Sequence, residues 1–535
     1  MDAPGDPLTA TSDPSAAKPA LVLIGGSGFL GRHIIAALRD RYDIHVLARR
    51  TELAVGVEPH RDVHWTQVDI ADRPWLTHAF EKLARLPRPI HVIHLAAHYD
   101  FTGLDHPEYQ RTNVDGLRNV LELCKELRPD TFVFASSLAA CAFPPPGKPL
   151  TEDSPPDGDH IYAATKRIGE AMVKEYEQSF PSVIVRMAAL FSDWCEYPPL
   201  YFFLRTWLSK AWNRRVLGGN GDSAIPYLHV RCAARFYERI LEVAPRLGPG
   251  EVVICSPDGS VSHIETFEVA TGVWFGRHIH PLGTPRPIAR LGLWILQQTG
   301  RFRAEPPFER SWMGRYIDLR LDTDGHRTRE RIGWAPNPRL FLLKRIPFLL
   351  ENLRANPLEW HARNLAAIDS MRVEPNLALY HLLQEHDEEM LRVSTERFLD
   401  PKDGAILRHY REMDREELRW AKRQLFLQFR NSIRTADRTV FRSYCRELAA
   451  RRHGQGFTCD EVCAAMALER HVVLSTLRKD PRTARLVHDV NDRVASTFAA
   501  GIDEIQDVFE EFDGFRPAGI SDGPPTWPAT PPPRP

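Results

Sequence analysis

Leu21-Val22-Leu23-Ile24-Gly25-Gly26-Ser27-Gly28-Phe29-Leu30-Gly31 is the stretch that decides the fold of the larger part of this chain. An aliphatic run of strand length leads into a glycine-rich turn, and Phe29 to Arg39 then carries apolar residues at helical spacing. Gly26, Gly28 and Gly31 satisfy GxGxxG, while Gly25, Gly28 and Gly31 also satisfy GxxGxxG. Missing β-carbons permit a tight turn and a close approach of pyrophosphate to backbone NH groups, and the helix amino terminus adds partial positive charge. Glycine triplets also occur in ordinary strand-to-helix turns, so the value of this one depends on its surroundings.

Outward from the turn, short β-rich runs alternate with amphipathic stretches at Ile44 to Ala48, His64 to Val68, His91 to Leu95, Thr131 to Ala135 and Val183 to Val185. Strands alternating with helices predict an α/β fold, a Rossmann-type doubly wound parallel sheet. The second strand ends in Arg49 and Arg50, where an acidic residue would accept from the adenosine 2′-hydroxyl of NAD. Guanidinium groups match a 2′-phosphate, so the reading favours NADP(H) over NAD(H). Asp69, followed by Ile70, stands at the end of the third strand, placed to accept from the adenine amino group.

Further motifs follow in order: His94-Leu95-Ala96-Ala97, Asn113-Val114-Asp115-Gly116, Ser136-Ser137, Tyr162-Ala163-Ala164-Thr165-Lys166, and Arg186 after a later strand. In this order they resemble the extended short-chain dehydrogenase/reductase family, which holds NAD-dependent epimerases, dehydratases and hydroxysteroid dehydrogenases. The likeness covers about residues 19–355. It implies a catalytic set of Ser137, Tyr162, Lys166 and Asn113, with Ser137 chosen over Ser136 by alignment. It also implies cofactor contacts from Gly25, Gly26, Ser27, Gly28, Phe29, Leu30, Gly31, Arg49, Arg50, Asp69, Ile70, Leu95, Ala96, Ala97, Asn113, Tyr162 and Lys166. Spacing supports the pair independently, because Tyr162 and Lys166 are i,i+4 and share a helix face. A phenol with an ordinary pKa near 10 is a poor base at neutral pH, and a nearby ammonium would lower it.

The chain departs from its relatives at His229-Val230-Arg231-Cys232-Ala233-Ala234, where two acidic positions are replaced, and at Met187, where proline often stands. Substrate contacts are expected from Ser137 and from His98, Tyr99 and Phe101 after the fourth strand, with the aromatic run Trp194 to Phe203, in a small lobe that begins near residue 190, as a further candidate. Twenty-two histidines form neither HExxH nor a close His/carboxylate group on one helix face, so no metal is expected.

At 535 residues the chain exceeds one hydrophobic core, since single cores stop growing at about 250 to 300 residues. The expected division is a tail over 1–18, an NAD(P)-binding domain over 19–360, a helical linker over 361–395, an all-α helical bundle over 396–514 and a proline-rich tail over 515–535. In the bundle, Asp414 with Glu417 and Thr458 with Glu461 fit capping boxes. Leu418, Leu425, Phe429 and Ile433, then Val440, Tyr444 and Leu448, mark its apolar faces. The run Arg451 to Thr458 followed by Asp460-Glu461-Val462 resembles the sensor-like amino-terminal domain of stressosome co-antagonist proteins. That likeness implies a regulatory or dimerising module, and the whole protein is expected to be a homo-oligomer, a dimer being the simplest form.

A formal net charge of −1 offers no general attraction to nucleic acid or anionic lipid, although a local patch stays open. Eight cysteines without a CxxC pair, and no secretory leader, favour a reducing cytoplasm. No apolar run approaches the roughly 20 residues of a spanning helix, so neither nucleic acid nor membrane is an expected partner. The expected function is an NAD(P)-dependent oxidoreductase acting on a small alcohol or carbonyl substrate. Two alternatives stand beside it: an epimerase or dehydratase with transient hydride transfer, and a dinucleotide-binding redox sensor without turnover.

Overall fold

The computed structural model describes residues 18–299, 308–369, 375–400, 406–435, 437–485 and 487–513. Apart from Lys18, the two expected tails lie outside the described residues. Two compact units divide the chain, the first ending at Arg372 and the second starting at Val373.

The first unit is built on a parallel sheet of seven strands. In chain order its elements are β1 (Ala20–Ile24), α1 (Phe29–Leu38), β2 (Asp43–Ala48), β3 (Val63–Gln67), α2 (Arg73–Leu83), β4 (Ile90–His94), α3 (Leu117–Leu127), β5 (Thr131–Ser137), α4 (Ile161–Glu175) and β6 (Ser182–Met187). The seventh strand, Glu251–Cys255, pairs with β6, and the order across the sheet is Glu251–Cys255, β6, β5, β4, β1, β2, β3. Period-two alternation fills both faces of β1. Leu21 and Leu23 pack with Ile34 and Leu38 of α1, whereas Ala20, Val22 and Ile24 pack with Leu76 and Phe80 of α2 and Leu121 of α3. A strand covered by helices on both sides reads as a continuous apolar run, as β1 does. The strand Glu251–Cys255 escaped the sequence reading because it lies inside the stretch whose pattern loosens after residue 190.

Chain direction across the sheet reverses beside β1, which lies between β2 and β4. Connections leaving β1 and β4 therefore diverge, and a crevice opens above the carboxyl ends of the strands. Over that edge stands a lobe of short strand pairs and helices. Phe191, Leu200, Tyr201, Leu204 and Tyr227 form its core with Leu349, Leu350 and Trp360 from the helices Leu342–Ala355 and Pro357–Asp369.

The second unit is all helical, with long helices Asp387–Leu399, Arg415–Thr435, Thr439–Gly454, Cys459–Leu477 and Val487–Asp513. Leu418, Leu425, Phe429 and Ile433 are buried, as expected from their spacing. Leu448 is buried and Tyr444 packs against the core, as expected, but Val440 is 57% exposed, and Phe441, Cys445 and Ala449 complete the buried stripe of that helix. Val440 alone departs from the expected face, at the second residue of the helix. The Thr458 hydroxyl caps the NH of Glu461, but the reciprocal half of the box is absent, because the Glu461 carboxylate accepts from the NH and Nδ1 of His409 at 2.7 Å each. Residues 361–395, expected to link the units, are divided between them. Trp360 and Asn364 bury in the first unit, and Leu379, Leu383, Met390 and Leu391 belong to the core of the second. Among the described residues no helix is long and apolar enough to cross a membrane.

Candidate functional site

The glycine turn joins β1 to α1 at the crevice. Gly25 has φ +87°, and a β-carbon there would lie 2.6 Å from the backbone nitrogen of Ala96. A β-carbon on Gly31 would lie 2.6 Å from both Cα and O of Gly26, so the first turn of α1 sits directly on the loop. No side chain caps α1 at Gly28, which leaves its first NH groups facing the crevice for a ligand. These are the features a pyrophosphate cradle requires.

A cavity of about 140 Å³ starts at this cradle and is lined by Gly25, Gly28, Phe29, Leu30, Gly31, Leu95, Ala97, Tyr162 and Lys166, all expected site residues. Ala135, Met187 and Leu190 complete the wall and were not expected. Strand ends supply them, and no local motif marks such positions. Gly26 packs against Val46 and Leu23, Ala96 abuts Gly25, and the carbonyl of Ser27 accepts from Arg50 Nη2 at 3.1 Å.

The far end of the crevice holds a charged network. Arg49 Nη1 donates to Glu108 Oε2 at 3.3 Å. Asp69 is fully buried; Oδ1 accepts from the NH of Ala71 at 3.0 Å and Oδ2 from both terminal nitrogens of Arg111 at 3.0 and 3.1 Å. Burial alone would raise the Asp69 carboxyl, yet Arg111 and Arg49 hold it below its ordinary value. Ile70 packs beside Gly116. Arg111 and Glu108 are contacts the sequence reading missed, since they lie about 40 or more positions from the groups they bind.

At the other end, Tyr162 and Lys166 project from one face of α4, as their spacing predicts. Burial pushes the Tyr162 phenol above its ordinary value, opposed by a hydrogen bond with Ser137 at the end of β5. Burial also brings the Lys166 ammonium down to about 8, while Glu170 pulls it up. Lys166 Nζ donates to the carbonyl of Ala135 at 2.6 Å and lies 5.7 Å from the centre of the Tyr162 ring. The expected lowering of the phenol by the ammonium is thus not the dominant influence here, because the strand carbonyl draws Nζ aside and burial outweighs it.

Ser136 and Ser137 point in different directions, as neighbours on a strand must. Ser136 is fully buried and donates to Glu170 Oε1 at 2.6 Å, within the buried ion pair that Glu170 makes with Arg186 at 2.8 Å. Ser137 faces Tyr162. Asn113 lies on a π-helical turn, Tyr109–Gly116, where its side chain accepts from the NH of His98 and donates to the carbonyl of His98 and to Thr165 Oγ1. It clamps the loop after β4 to α4.

On that loop Tyr99 stacks on Tyr162 with ring centres 4.2 Å apart, and Phe101 lies 4.1 Å from Tyr99. The His98 ring turns instead to Tyr109 and faces Asp100 Oδ2 at 3.9 Å. At the departure noted after His229, the imidazole takes over the missing acidic cap. Its Nδ1 accepts from the NH of Arg231, and Nε2 meets Asp193 at 3.2 Å. Asp43, His45 and His64, on paired strands at the amino edge of the sheet, bring ligand-type atoms within 4.8 Å of one another, a grouping that local spacing does not reveal. Asp43 bonds both imidazoles.

Residues 21–255 match the NAD dependent epimerase/dehydratase family. Among curated relatives, UDP-glucuronate 4-epimerase 1 of Arabidopsis thaliana is 28% identical over 201 residues, 34% of this chain and 45% of its own. The 3 beta-hydroxysteroid dehydrogenase type 7 of Rattus norvegicus is 31% identical over 178 residues, 30% of this chain and 50% of its own. This chain spans about half the length of the curated relatives it matches. The crystal structure of gox2253 superimposes on 65% of this chain and 99% of that chain with a TM-score of 0.50 at 18% identity, a likeness of fold. The family segment ends at Cys255, the last residue of the seventh strand, so the match covers the sheet and its crevice.

Proposed function

We propose that the first unit binds a nicotinamide dinucleotide and exchanges hydride with the carbon of an alcohol or carbonyl substrate, with Tyr162 moving the proton. The observation that carries this reading is a single cavity shared by the glycine cradle, Tyr162 and Lys166, with Ser137 bonded to the phenol. When bound, the dinucleotide supplies the hydride donor or acceptor.

Tyr162 gives its proton to a carbonyl oxygen in reduction and recovers it in oxidation. Burial keeps the free phenol protonated, which sets the resting site as an acid. Ser137 Oγ is the second hydrogen-bonding group for the substrate oxygen. Lys166 Nζ holds a ribose hydroxyl while keeping its bond to Ala135, and Asn113 positions Thr165 and so the first turn of α4. Tyr99, against Tyr162, and Phe101 beyond it form an aromatic wall for the substrate skeleton.

NADP(H) is the favoured cofactor, because Arg49 and Arg50 follow the end of β2, where an acidic residue would serve NAD. Arg49 would exchange Glu108 for a 2′-phosphate. A second reading, an epimerase or dehydratase in which hydride leaves and returns within one cycle, is favoured by the matched family and by the UDP-glucuronate 4-epimerase relatives.

Fluorescence titration of the full chain with NADPH and NADH tests the binding claim. Tighter NADPH binding supports the reading, tighter NADH binding removes the NADP preference, and binding of neither overturns the proposal. Mass spectrometry of copurifying ligands identifies substrate for turnover. A net change at the reduced-nicotinamide band marks a dehydrogenase, and product without net change an epimerase. Tyr162→Phe should lower turnover by about 10²- to 10⁴-fold while keeping nucleotide affinity.

A further inference from the structure

The helix Arg286–Thr299 buries none of its residues. Its inner side is fastened to the lobe: Arg290 Nε donates to the carbonyl of Gly314 at 2.9 Å, Arg286 Nε to Asp318 at 3.1 Å, and Leu293 closes over Gly314. Its outer side is apolar. Ile288, Leu291, Trp294 and Ile295 are all exposed, Trp294 by 54% of its surface. At about 100° per residue these four positions fall within an arc of about 120°.

Further apolar side chains are exposed on the strand pair that Gly218 brings beside Ala289 of the helix. Leu282 pairs in register with Val216, both are exposed, and the turn before Val216 carries Trp212 with 91% of its surface in water. Isolated apolar side chains on a surface need no explanation, but four on one side of a single helix do. Its surroundings are basic: Lys210, Arg214, Arg215, Arg277, Arg286 and Arg290 lie in the stretches 208–219 and 276–299, which contain neither aspartate nor glutamate. Asp318, largely buried, is bonded to Arg286, and Asp222, whose NH donates to Asp318, stands exposed beside it.

We propose that this face is a membrane-surface docking site, with the outer side of helix Arg286–Thr299 and Trp212 entering the headgroup boundary of an anionic lipid bilayer. An apolar stripe with tryptophan, in a segment that carries arginines and no acid of its own, has the chemistry of an interfacial helix. The helix, fourteen residues or about 21 Å long, is too short to span and is tethered flat. A second copy of the chain fits less well, since a twofold contact would set the same arginines against one another. The near-zero net charge of the whole chain conceals this local excess.

Flotation of the full-length protein with vesicles tests the proposal. With phosphatidylcholine containing about one-third phosphatidylglycerol at low salt, binding should exceed that to pure phosphatidylcholine by about tenfold or more and fall in high salt. Leu291→Glu/Ile295→Glu should abolish it while leaving nucleotide affinity and melting temperature unchanged. Lys210→Glu/Arg277→Glu, which leaves the apolar face intact, should weaken it in the same direction and decides the matter if the first variant misfolds. Absence of vesicle binding, equal binding to both compositions, or binding indifferent to the variants would overturn the proposal. So would a dimer that Leu291→Glu/Ile295→Glu converts to monomer without any vesicle binding.

Discussion

Lys166 in the first unit and Lys422 in the second are both almost sealed from water, and burial brings both ammonium groups down to about 8. Their partners differ. Lys422 Nζ donates to Glu469 Oε1 and Ser394 Oγ at 2.6 Å each, and lies 3.0 Å above the Phe398 ring. Its charge is matched by a carboxylate within the helical core. Lys166 donates to a backbone carbonyl, borders a cavity, and has its nearest acid, Glu170, committed to Arg186. A buried amine with a carboxylate partner holds a structure together. One held by a carbonyl beside a cavity retains donors for a ligand.

The largest effect that could break this comparison is on stability. Lys422→Met leaves Glu469 buried without its cation, so urea unfolding of the helical unit should lose about 3–5 kcal/mol, with nucleotide affinity unchanged. Lys422→Met/Glu469→Leu should recover most of that loss, because an apolar pair replaces a desolvated ionic one. A single variant as stable as the wild type would show that the pair is not closed.

Next in size is the pH response of Lys166. Its folded value is lowered to about 8 from 10.5, so between those values the native state binds fewer protons than the unfolded chain. Stability therefore rises with pH across that window, by about 3 kcal/mol from this group, with none of the gain present below about pH 8. The difference in unfolding free energy between wild type and Lys166→Met, measured at either end of the window, should change by that amount. A constant difference would mean that the ammonium is solvated.

The smallest effect is at Ser137. Its hydrogen bond is the influence that lowers the Tyr162 phenol, so Ser137→Ala should cost about tenfold in turnover and move the alkaline limb of kcat/KM upward. An unmoved limb would separate Ser137 from the tyrosine.

Local chemistry was legible in advance. The glycine turn, the i,i+4 pair and the six strands around them all depend on neighbours within a few residues. Relations across the sheet were not. Arg111 reaches Asp69 from 42 positions away, and Ser136 is committed to Glu170, 34 positions on. The aromatic loop divided in a way no composition shows, with Tyr99 stacked on Tyr162, Phe101 against Tyr99, and the His98 ring turned toward Tyr109.

By itself, then, the sequence determined the parallel sheet, the glycine turn and the helical second unit, because periodicity and glycine content act through backbone conformation. Tertiary structure decided which charges are spent and which are available. It bound Arg49 to Glu108, drew Lys166 onto the carbonyl of Ala135, matched Lys422 with Glu469, and left one side of helix Arg286–Thr299 bare. The energies of these groups depend on desolvation and on partners brought from distant parts of the chain, neither of which a local pattern of residues encodes.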